Sequence, residues 1–206
     1  MNSMTNSEDF SEKTVNLNPF IQFKTWYSEH LISGIAIPDS VSLGTASENG
    51  QVSIRSVLLK HFDDNGFVFF TNYRSRKGLQ LSLNPKAAML FYWPESGRQV
   101  RIEGVTEKVT EEDSESYFKT RSRESQLTAW ASEQSTLIPD RQYLYDRYNF
   151  YKNKYSEKPV DRPLHWGGFR LIPEWFEFWQ NGEFRLHDRI TYTKSKDQWI
   201  IERLAP

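Results

Sequence analysis

Residues 40–71 read SVSLGTASENGQVSIRSVLLKHFDDNGFVFFT, and this stretch decides the class of fold. Three runs rich in β-branched and aromatic residues are separated by two short polar segments that end in Asn49-Gly50 and Asn65-Gly66. Because Asn-Gly pairs between such runs favour tight turns, neighbouring strands are expected to run antiparallel. The stretch therefore predicts two successive hairpins, with strands at 40–46, 51–60 and 67–71.

Similar signals extend this pattern in both directions. The sequence predicts helices that begin at Pro19, within 72–84, at Thr110 (ending near Thr120), and over 124–132 and 140–156. Further strands are predicted at 87–93, 98–109, 165–171, 175–180, 185–193 and 198–204. About eight short strands in hairpins, with helices between the runs and no βαβ alternation, indicate an α+β fold with an antiparallel barrel. We predict a mobile N-terminal arm at 1–17 and one domain at 18–206.

Composition excludes several classes of function. Lys+Arg 26 against Asp+Glu 27 gives a net charge of −1, which argues against a duplex nucleic-acid binder. Cys is 0, so disulfides, thiolate catalysis and Cys-ligated metals are excluded, and the 4 His lack metal-binding spacing. The longest apolar run, 87–93, is too short to span a membrane, and no secretory signal opens the chain. We therefore expect no metal, no membrane partner and a cytoplasmic protein.

The aromatic content (Trp 7, Tyr 10, Phe 14) suggests a core completed by self-association.

Two clusters of basic and hydroxyl residues are candidate anion sites. Ser75-Arg76-Lys77 follows Thr71 and opens a predicted helix, an arrangement suited to a phosphate. Tyr117 and Arg121 share a helix face, with Ser125 just beyond it, and could bind a second phosphate. Solvated charged surfaces remain the alternative for both clusters.

Two further groups of basic residues lie in predicted strands. Strict alternation places Arg55 and Lys60 on opposite faces unless the strand ends near Lys60, and a surface Arg with a strand-terminal Lys is the alternative. Arg185, His187 and Arg189 alternate, so they are predicted to share one face. Three such groups would repel one another unless an anion lies between them, which favours a functional face. Together the clusters indicate one or two phosphorylated aromatic ligands.

The same residues carry a resemblance over about 18–206 to the pyridoxine/pyridoxamine 5′-phosphate oxidase family. Its most specific part is Phe176-Glu-Phe-Trp-Gln-x4-Arg-Leu-His-Asp-Arg189, and supporting blocks lie at 55–60, 75–78, 98–100, 125–130, 166–169 and 202–206. The resemblance implies a split β-barrel homodimer with FMN bound at the subunit interface.

The resemblance also implies roles for individual residues. Substrate phosphate would be bound by Lys60, Tyr117, Arg121 and Ser125, while Arg185 and His187 would lie over the substrate ring as the catalytic pair. FMN would be contacted by Arg55, Ser56, Val57, Leu58, Leu59, Lys60, Phe70, Thr71, Arg76, Lys77, Gln99, Gln134, Ser135, Trp179 and Arg189. The chain departs from the family pattern at Phe70, often Tyr, at Ser122, often Pro, and at Thr128, often Gly.

The implied activity is FMN-dependent oxidation of pyridoxamine or pyridoxine 5′-phosphate to pyridoxal 5′-phosphate, with O2 as acceptor and H2O2 as second product. Three alternatives stay open. A related flavin oxidase could act on another substrate, such as a phenazine precursor, although the intact Arg185-Leu-His187 segment argues against it. The chain could instead be a non-catalytic FMN- or pyridoxal-phosphate-binding module. A single-stranded nucleic-acid binder is disfavoured by the net charge.

Overall fold

The computed structural model describes residues 10–32 and 37–206, and antiparallel strands dominate it. The elements are α1 (Pro19–Ile32), β1 (Ser40–Ala46), β2 (Val52–Leu58), β3 (His61–Asp63), β4 (Gly66–Asn72), α2 (Arg76–Leu83), β5 (Lys86–Trp93), β6 (Arg98–Lys108), α3 (Glu111–Thr120), α4 (Arg123–Ala131), α5 (Arg141–Lys154), β7 (Trp166–Gln180), a 3₁₀ turn (Glu183–Arg185), β8 (Asp188–Ser195) and β9 (Gln198–Arg203).

The strands of the described residues form one sheet in the order β2-β1-β5-β6-β7-β4-β3, and β8 pairs with both β7 and β9. Every pairing is antiparallel, which confirms the predicted α+β class. The sheet curls around α1, whose Phe23 is fully buried with its ring centroid 4.9 Å from those of Phe67 and Phe91. Burial of these aromatic rings provides the main apolar stabilisation of the barrel interior.

Strand β7 corrects one expectation. The sequence predicts two strands, 165–171 and 175–180, because Pro173 lacks the N–H that a ladder needs. The structure has a single strand of 15 residues, and the pairing with β6 shifts register between Glu103 and Gly104, opposite Pro173. A β-bulge accommodates the proline. A Cβ on Gly104 would lie 2.0 Å from the carbonyl oxygen of Ile172, so only glycine fits there.

The segment after β7 corrects a second expectation. The predicted strand 185–193 begins only at Asp188, and Arg185 lies on the preceding 3₁₀ turn. Phe184 and Arg185 both adopt positive φ, 55° and 64°, which is uncommon for residues other than glycine. Arg185 therefore does not alternate with His187 and Arg189 along one strand face.

Helices α3, α4 and α5 flank the β4–β7 part of the sheet. The predicted capping of α3 is confirmed, because the Thr110 hydroxyl accepts from the amide of Asp113 at 3.0 Å. Phe118 of α3, Leu127 of α4 and Trp166 of β7 belong to a second, smaller apolar core. Packing in this core holds α3 and α4 against the sheet.

Part of the predicted arm lies against the barrel. Residues 1–9 are outside the described residues, as is Gly34, the predicted end of α1. Within 10–17, Val15 is buried and the carbonyl of Asn16 accepts from the Tyr192 hydroxyl at 2.7 Å. The division into arm and domain stays a prediction. None of the described helices has the length and apolar character needed to cross a bilayer.

Candidate functional site

A cavity of about 550 Å³ opens between the sheet and the flanking helices. Its walls come from β2, β4, α2, α3, α4 and the first residue of β7. It brings together residues of both predicted phosphate sites. The predicted residues on its walls are Ser56, Val57, Leu58, Lys60, Phe70, Thr71, Lys77, Tyr117, Arg121, Ser125 and Gln134.

One side of the cavity is formed by Lys77, near the start of α2. The helix begins there because the Ser75 hydroxyl accepts from the amide of Gly78. Lys77 is buried, and its Nζ donates to Thr71 Oγ1 at 3.1 Å and to Gln134 Oε1 at 3.3 Å. No described carboxylate pairs with it, and burial lowers its pKa. A buried ammonium with only neutral partners fits an anionic ligand.

Arg55 and Arg76 add positive charge close to Lys77. Burial and the charge of Arg76 lower the pKa of Arg55, and Arg55 in turn lowers the pKa of Lys77. Arg55 does not line the cavity, and its Nη1 donates to Leu43 O at 3.1 Å and to Thr45 Oγ1 at 2.6 Å. Three cations without a described carboxylate partner fit a phosphate better than a solvated loop.

Two other predicted cofactor residues also lie off the cavity wall. Leu59 is buried in the main core, and its amide donates to Asp39 O at 2.8 Å. Ser135 is exposed, directly after Gln134, at a φ of 72°. Neither side chain therefore reaches the cavity in this chain.

Another part of the cavity wall is formed by Arg121, at the end of α3. Its guanidinium lies 4.6 Å from the ring centroid of Trp166, and its Nη1 is buried without a hydrogen-bond partner among the described residues. Burial lowers the pKa of Arg121. A buried donor without a partner is costly, so this atom fits an anionic ligand that would accept its hydrogen bond.

Aromatic and hydroxyl groups complete this side. The ring centroids of Phe70 and Tyr117 lie 4.0 Å apart and the rings stack. Phenylalanine at position 70, where the family often has tyrosine, therefore still provides an aromatic wall. Ser122, at a second departure, donates to Ser125 Oγ at 3.0 Å and caps α4. The hydroxyl proton of Ser125 is then free for a ligand. Thr128, the third departure, also lines the cavity, and its hydroxyl donates to Glu124 O.

Lys60 lies on the cavity wall after the end of β2. Since β2 ends at Leu58, strand alternation does not govern the direction of Lys60. Its Nζ contacts Asp39 Oδ2 at 2.5 Å, and both side chains are about a quarter exposed. A phosphate that binds Lys60 therefore competes with Asp39.

The other predicted residues gather at the far end of β7. Gln99, Trp179 and Arg189 are neighbours across β6, β7 and β8. The His187 ring lies 4.7 Å from that of Trp179, and its Nδ1 accepts from the amide of Gly182 at 3.2 Å. In the neutral ring the proton is thus on Nε2, available as a donor. Arg185 is exposed on the turn beside them.

Glu177 supplies a negative charge that the sequence analysis of Arg185, His187 and Arg189 did not include. This carboxylate is 1 % exposed and accepts from Arg189 Nε at 2.6 Å and from Arg101 Nη1 at 2.9 Å. The expected repulsion among Arg185, His187 and Arg189 is therefore reduced, because Arg189 is paired with Glu177. Arg189 is held in place by protein rather than awaiting an anion.

The two groups lie at opposite ends of one strand. Trp166 borders the cavity, whereas Trp179, 13 residues further along β7, belongs to the far group. None of Gln99, Trp179, Arg185, His187 or Arg189 lines the cavity. We refer to these five residues as the β7 end group.

Sequence reasoning missed several residues that contact the predicted ones. Asp39, Thr45, Gln80 and Glu177 hold Lys60, Arg55 and Arg189, and all four are polar residues in or beside apolar segments. Gln80 could have been found, since it lies three residues after Lys77 on the same helix face. Within the described ranges, no cluster of three His, Asp or Glu residues is placed to hold a metal.

Comparison with known families gives two matches along the chain. Residues 29–149 match the pyridoxamine 5′-phosphate oxidase model, and residues 166–206 match the pyridoxine 5′-phosphate oxidase C-terminal dimerisation region. The cavity residues lie mainly in the first match, and most of the β7 end group lies in the second.

Curated relatives and solved structures agree with these matches. Pyridoxine/pyridoxamine 5′-phosphate oxidase of Nostoc sp. is 49% identical over 97% of this chain and 94% of its own length, and that of Coxiella burnetii is 51% identical over 92% and 96%. PhzG from Burkholderia lata, solved with tetrahydrophenazine-1-carboxylic acid, has a TM-score of 0.89 at 29% identity over 94% of this chain and 95% of its own. An FMN-binding protein from Nostoc punctiforme related to pyridoxamine 5′-phosphate oxidase has a TM-score of 0.72 at 20% identity over 93% and 100%, which concerns the fold alone. These likenesses confirm the predicted split-barrel architecture.

Proposed function

Because the chain belongs to the pyridoxamine 5′-phosphate oxidase family, we propose that it oxidises pyridoxamine or pyridoxine 5′-phosphate to pyridoxal 5′-phosphate with FMN and O2, releasing H2O2. Family membership supports an oxidoreductase that carries a flavin and forms homodimers. A cytoplasmic location remains a prediction.

The observation that carries the proposal is a cavity with two groups of cations, on its wall or close to it, that have no carboxylate partner among the described residues. Lys77 with Arg55 and Arg76 forms one group, and the other is Arg121, whose buried Nη1 has no hydrogen-bond partner in residues 10–32 and 37–206. FMN and the substrate each carry one phosphate, so two anion sites at one cavity fit this pair of ligands. The Lys77 group would hold the FMN phosphate, assisted by Thr71 and Gln134.

The Arg121 group would hold the substrate phosphate. Arg121 supplies the planar donors, and Ser125 and Tyr117 supply hydroxyls on the same wall. The ammonium of Lys60 would leave its ion pair with Asp39 and bind the phosphate instead. The stacked rings of Phe70 and Tyr117 form an apolar wall that excludes water beside the substrate ring.

The β7 end group would come from the second copy of the chain. None of its five residues lines the cavity of its own chain, while residues 166–206 match a dimerisation region. A twofold dimer would place the partner's end group over each cavity. Arg185 and the Nε2–H of His187 would then position the substrate ring, and Gln99, Trp179 and Arg189 would contact the flavin.

When bound, FMN supplies the redox chemistry, taking two electrons from the substrate carbon that bears the amine or hydroxyl and passing them to O2, which becomes H2O2. The chain's own residues bind both phosphates and fix the angle of the substrate ring. For the amine substrate, water then replaces nitrogen at the oxidised carbon and ammonia leaves. Positioning of this kind supplies a large part of a rate enhancement.

Anaerobic mixing of FMN-loaded protein with pyridoxamine 5′-phosphate tests the proposal. We expect bleaching of the flavin absorbance, recovery after oxygen is admitted, and formation of pyridoxal 5′-phosphate and peroxide. A flavin that stays oxidised would contradict the proposed substrates and favour a binding module.

PhzG favours one second candidate, an oxidase of a phenazine precursor, since its structure is so similar. The curated relatives at 48–51% identity favour the vitamin B6 substrates. Turnover of tetrahydrophenazine-1-carboxylic acid at a higher kcat/KM than pyridoxamine 5′-phosphate would reverse the assignment.

Lys77 predicts how FMN binding depends on pH. In the apoprotein its pKa lies below the ordinary 10.5 because burial and Arg55 disfavour the charged form. A bound phosphate favours the charged form and raises that pKa, so binding takes up a proton above the pKa of the free site. FMN affinity should be constant at lower pH and should fall as pH rises through the lowered pKa.

Fluorescence titration of the apoprotein with FMN from pH 7 to 10 measures this dependence. Riboflavin shares the ring system and lacks the phosphate, so its affinity corrects for titration of the flavin itself. Lys77→Met should bind FMN weakly with no such pH dependence, and an unchanged slope in that variant would assign the proton to another group.

A further inference from the structure

Thr45 and Gln80 form a closed hydrogen-bonded unit with the guanidinium of Arg55. Arg55 Nη1 donates to Thr45 Oγ1 at 2.6 Å, and Arg55 Nη2 donates to Gln80 Oε1 at 3.4 Å. The Thr45 hydroxyl donates to the same Oε1 at 2.6 Å. Thr45 and Gln80 are 2% and 6% exposed, so no water competes freely for these bonds.

The hydrogen bonds of this unit show which donors of Arg55 are already used. Gln80 Nε2 donates to Ser53 Oγ at 3.3 Å, which fixes Oε1 on the side of Arg55. Arg55 Nη1 uses its second proton on Leu43 O. Of the five guanidinium donors, the Nε–H and one Nη2–H remain without a partner among the described residues. These two donors are parallel and match two oxygens of a phosphate.

The unit is also electrically neutral apart from Arg55. The partners of Arg55 and Lys77 are hydroxyls, amides and carbonyls, whereas Arg189 of the β7 end group pairs with the carboxylate of Glu177. Neutral partners fix the direction of Arg55 and leave its charge uncompensated for a ligand. Gln80 is on the same helix as Arg76 and Lys77, so α2 carries both the cations and the group that aims Arg55.

We propose that Thr45 and Gln80 are positioning residues that turn the Nε–Nη2 edge of Arg55 toward the phosphate of FMN. This inference rests on the proposed function, because it takes the Arg55, Arg76 and Lys77 group to be the flavin phosphate site. Neither residue contacts the ligand, and each acts through Arg55.

Flavin affinity of the apoprotein tests the proposal. Thr45→Val and Gln80→Met remove the bonds to Arg55 with little change of volume, and each should weaken FMN binding on the order of tenfold. Riboflavin binding should change less than about twofold, since its affinity contains no phosphate contribution. Thr45→Ser keeps the hydroxyl and should restore the ratio of FMN to riboflavin affinity.

Two controls separate positioning from a general structural role. Gln22→Met removes another buried amide, one that accepts from Asn16 in the N-terminal segment, and should leave the ratio unchanged. In an Arg55→Met background, Thr45→Val and Gln80→Met should have no further effect on FMN binding. The variants lie on different elements, so misfolding of one leaves the other as a test.

The outcomes are distinguishable. If wild-type apoprotein binds FMN no more tightly than riboflavin, the phosphate site and this inference both fail. If wild type prefers FMN and the Thr45 and Gln80 variants keep that preference, the positioning role alone is overturned. If Thr45→Val or Gln80→Met weakens FMN binding further in the Arg55→Met background, the positioning role is overturned as well.

Discussion

Arg121→Ala is expected to raise KM for pyridoxamine 5′-phosphate about 10- to 100-fold, with kcat within about twofold of wild type. The buried Nη1, which has no hydrogen-bond partner in the part of the chain that the structure describes, fits an anionic ligand, and a charge-assisted bond to phosphate contributes about 1.5–3 kcal/mol. Steady-state kinetics measures the effect. Pyridoxamine without its phosphate should be oxidised equally slowly by both proteins, since it cannot use the guanidinium.

Lys119→Ala is the matched control. Lys119 lies on the same helix, is largely exposed and pairs with Glu115. Its substitution therefore removes a positive charge that lies away from the cavity. Its KM should equal that of wild type. An unchanged KM for Arg121→Ala would remove Arg121 from the substrate phosphate site.

Arg185→Ala is expected to lower kcat/KM on the order of 100-fold, because the substrate ring loses a positioning contact over the reacting carbon. The same residue tests the sharing of the site between subunits. We expect equal mixing of Arg121→Ala and Arg185→Ala chains to give hybrid dimers in which one of two sites has both residues intact. At random pairing, activity should recover to about a quarter of wild type.

Activity after co-expression, at a substrate concentration below the wild-type KM, measures this recovery. Mixing Arg121→Ala with Lys60→Ala is the control, since both changes lie on the cavity and no hybrid has an intact site. If Arg121→Ala and Arg185→Ala do not complement each other, the complete site lies within one chain and the assignment of the β7 end group to the partner is wrong.

Local signals in the sequence predicted most of the fold. The strand at Ser40–Ala46 and the cap at Thr110 follow from Asn-Gly turns and a hydroxyl before an acidic first turn, which act within a few residues. The continuity of β7 did not follow, because Pro173 is tolerated only through a bulge that Gly104 permits from another strand. That compensation is tertiary and leaves no local signal.

The candidate site divides in the same way. The cavity residues were predicted because Ser75-Arg76-Lys77 and Tyr117 with Arg121 are local patterns at helix ends. Arg185 was misplaced because its alternation with His187 imitates a strand, while two residues other than glycine adopt positive φ there. Thr45 was missed because its contact with Arg55 joins two strands, and sequence spacing carries no record of it. Gln80 follows Lys77 at helical spacing, but its contact with Arg55 on another element leaves no local signal.

The separation between paired and unpaired cations has a consequence for encounter rates. The net charge of −1 describes the whole chain, yet Arg98, Arg101, Arg170, Arg189 and Arg203 are each matched by a carboxylate, so they contribute little to the field at a distance. Lys77 and Arg121 line the cavity, Arg55 and Arg76 lie close to Lys77, and none of these four cations has a carboxylate partner among the described residues. They add a local positive potential near the cavity that favours the approach of a phosphorylated ligand, and association should slow as salt screens it. A protein with a net charge of −1 can therefore still attract small anions at one place on its surface.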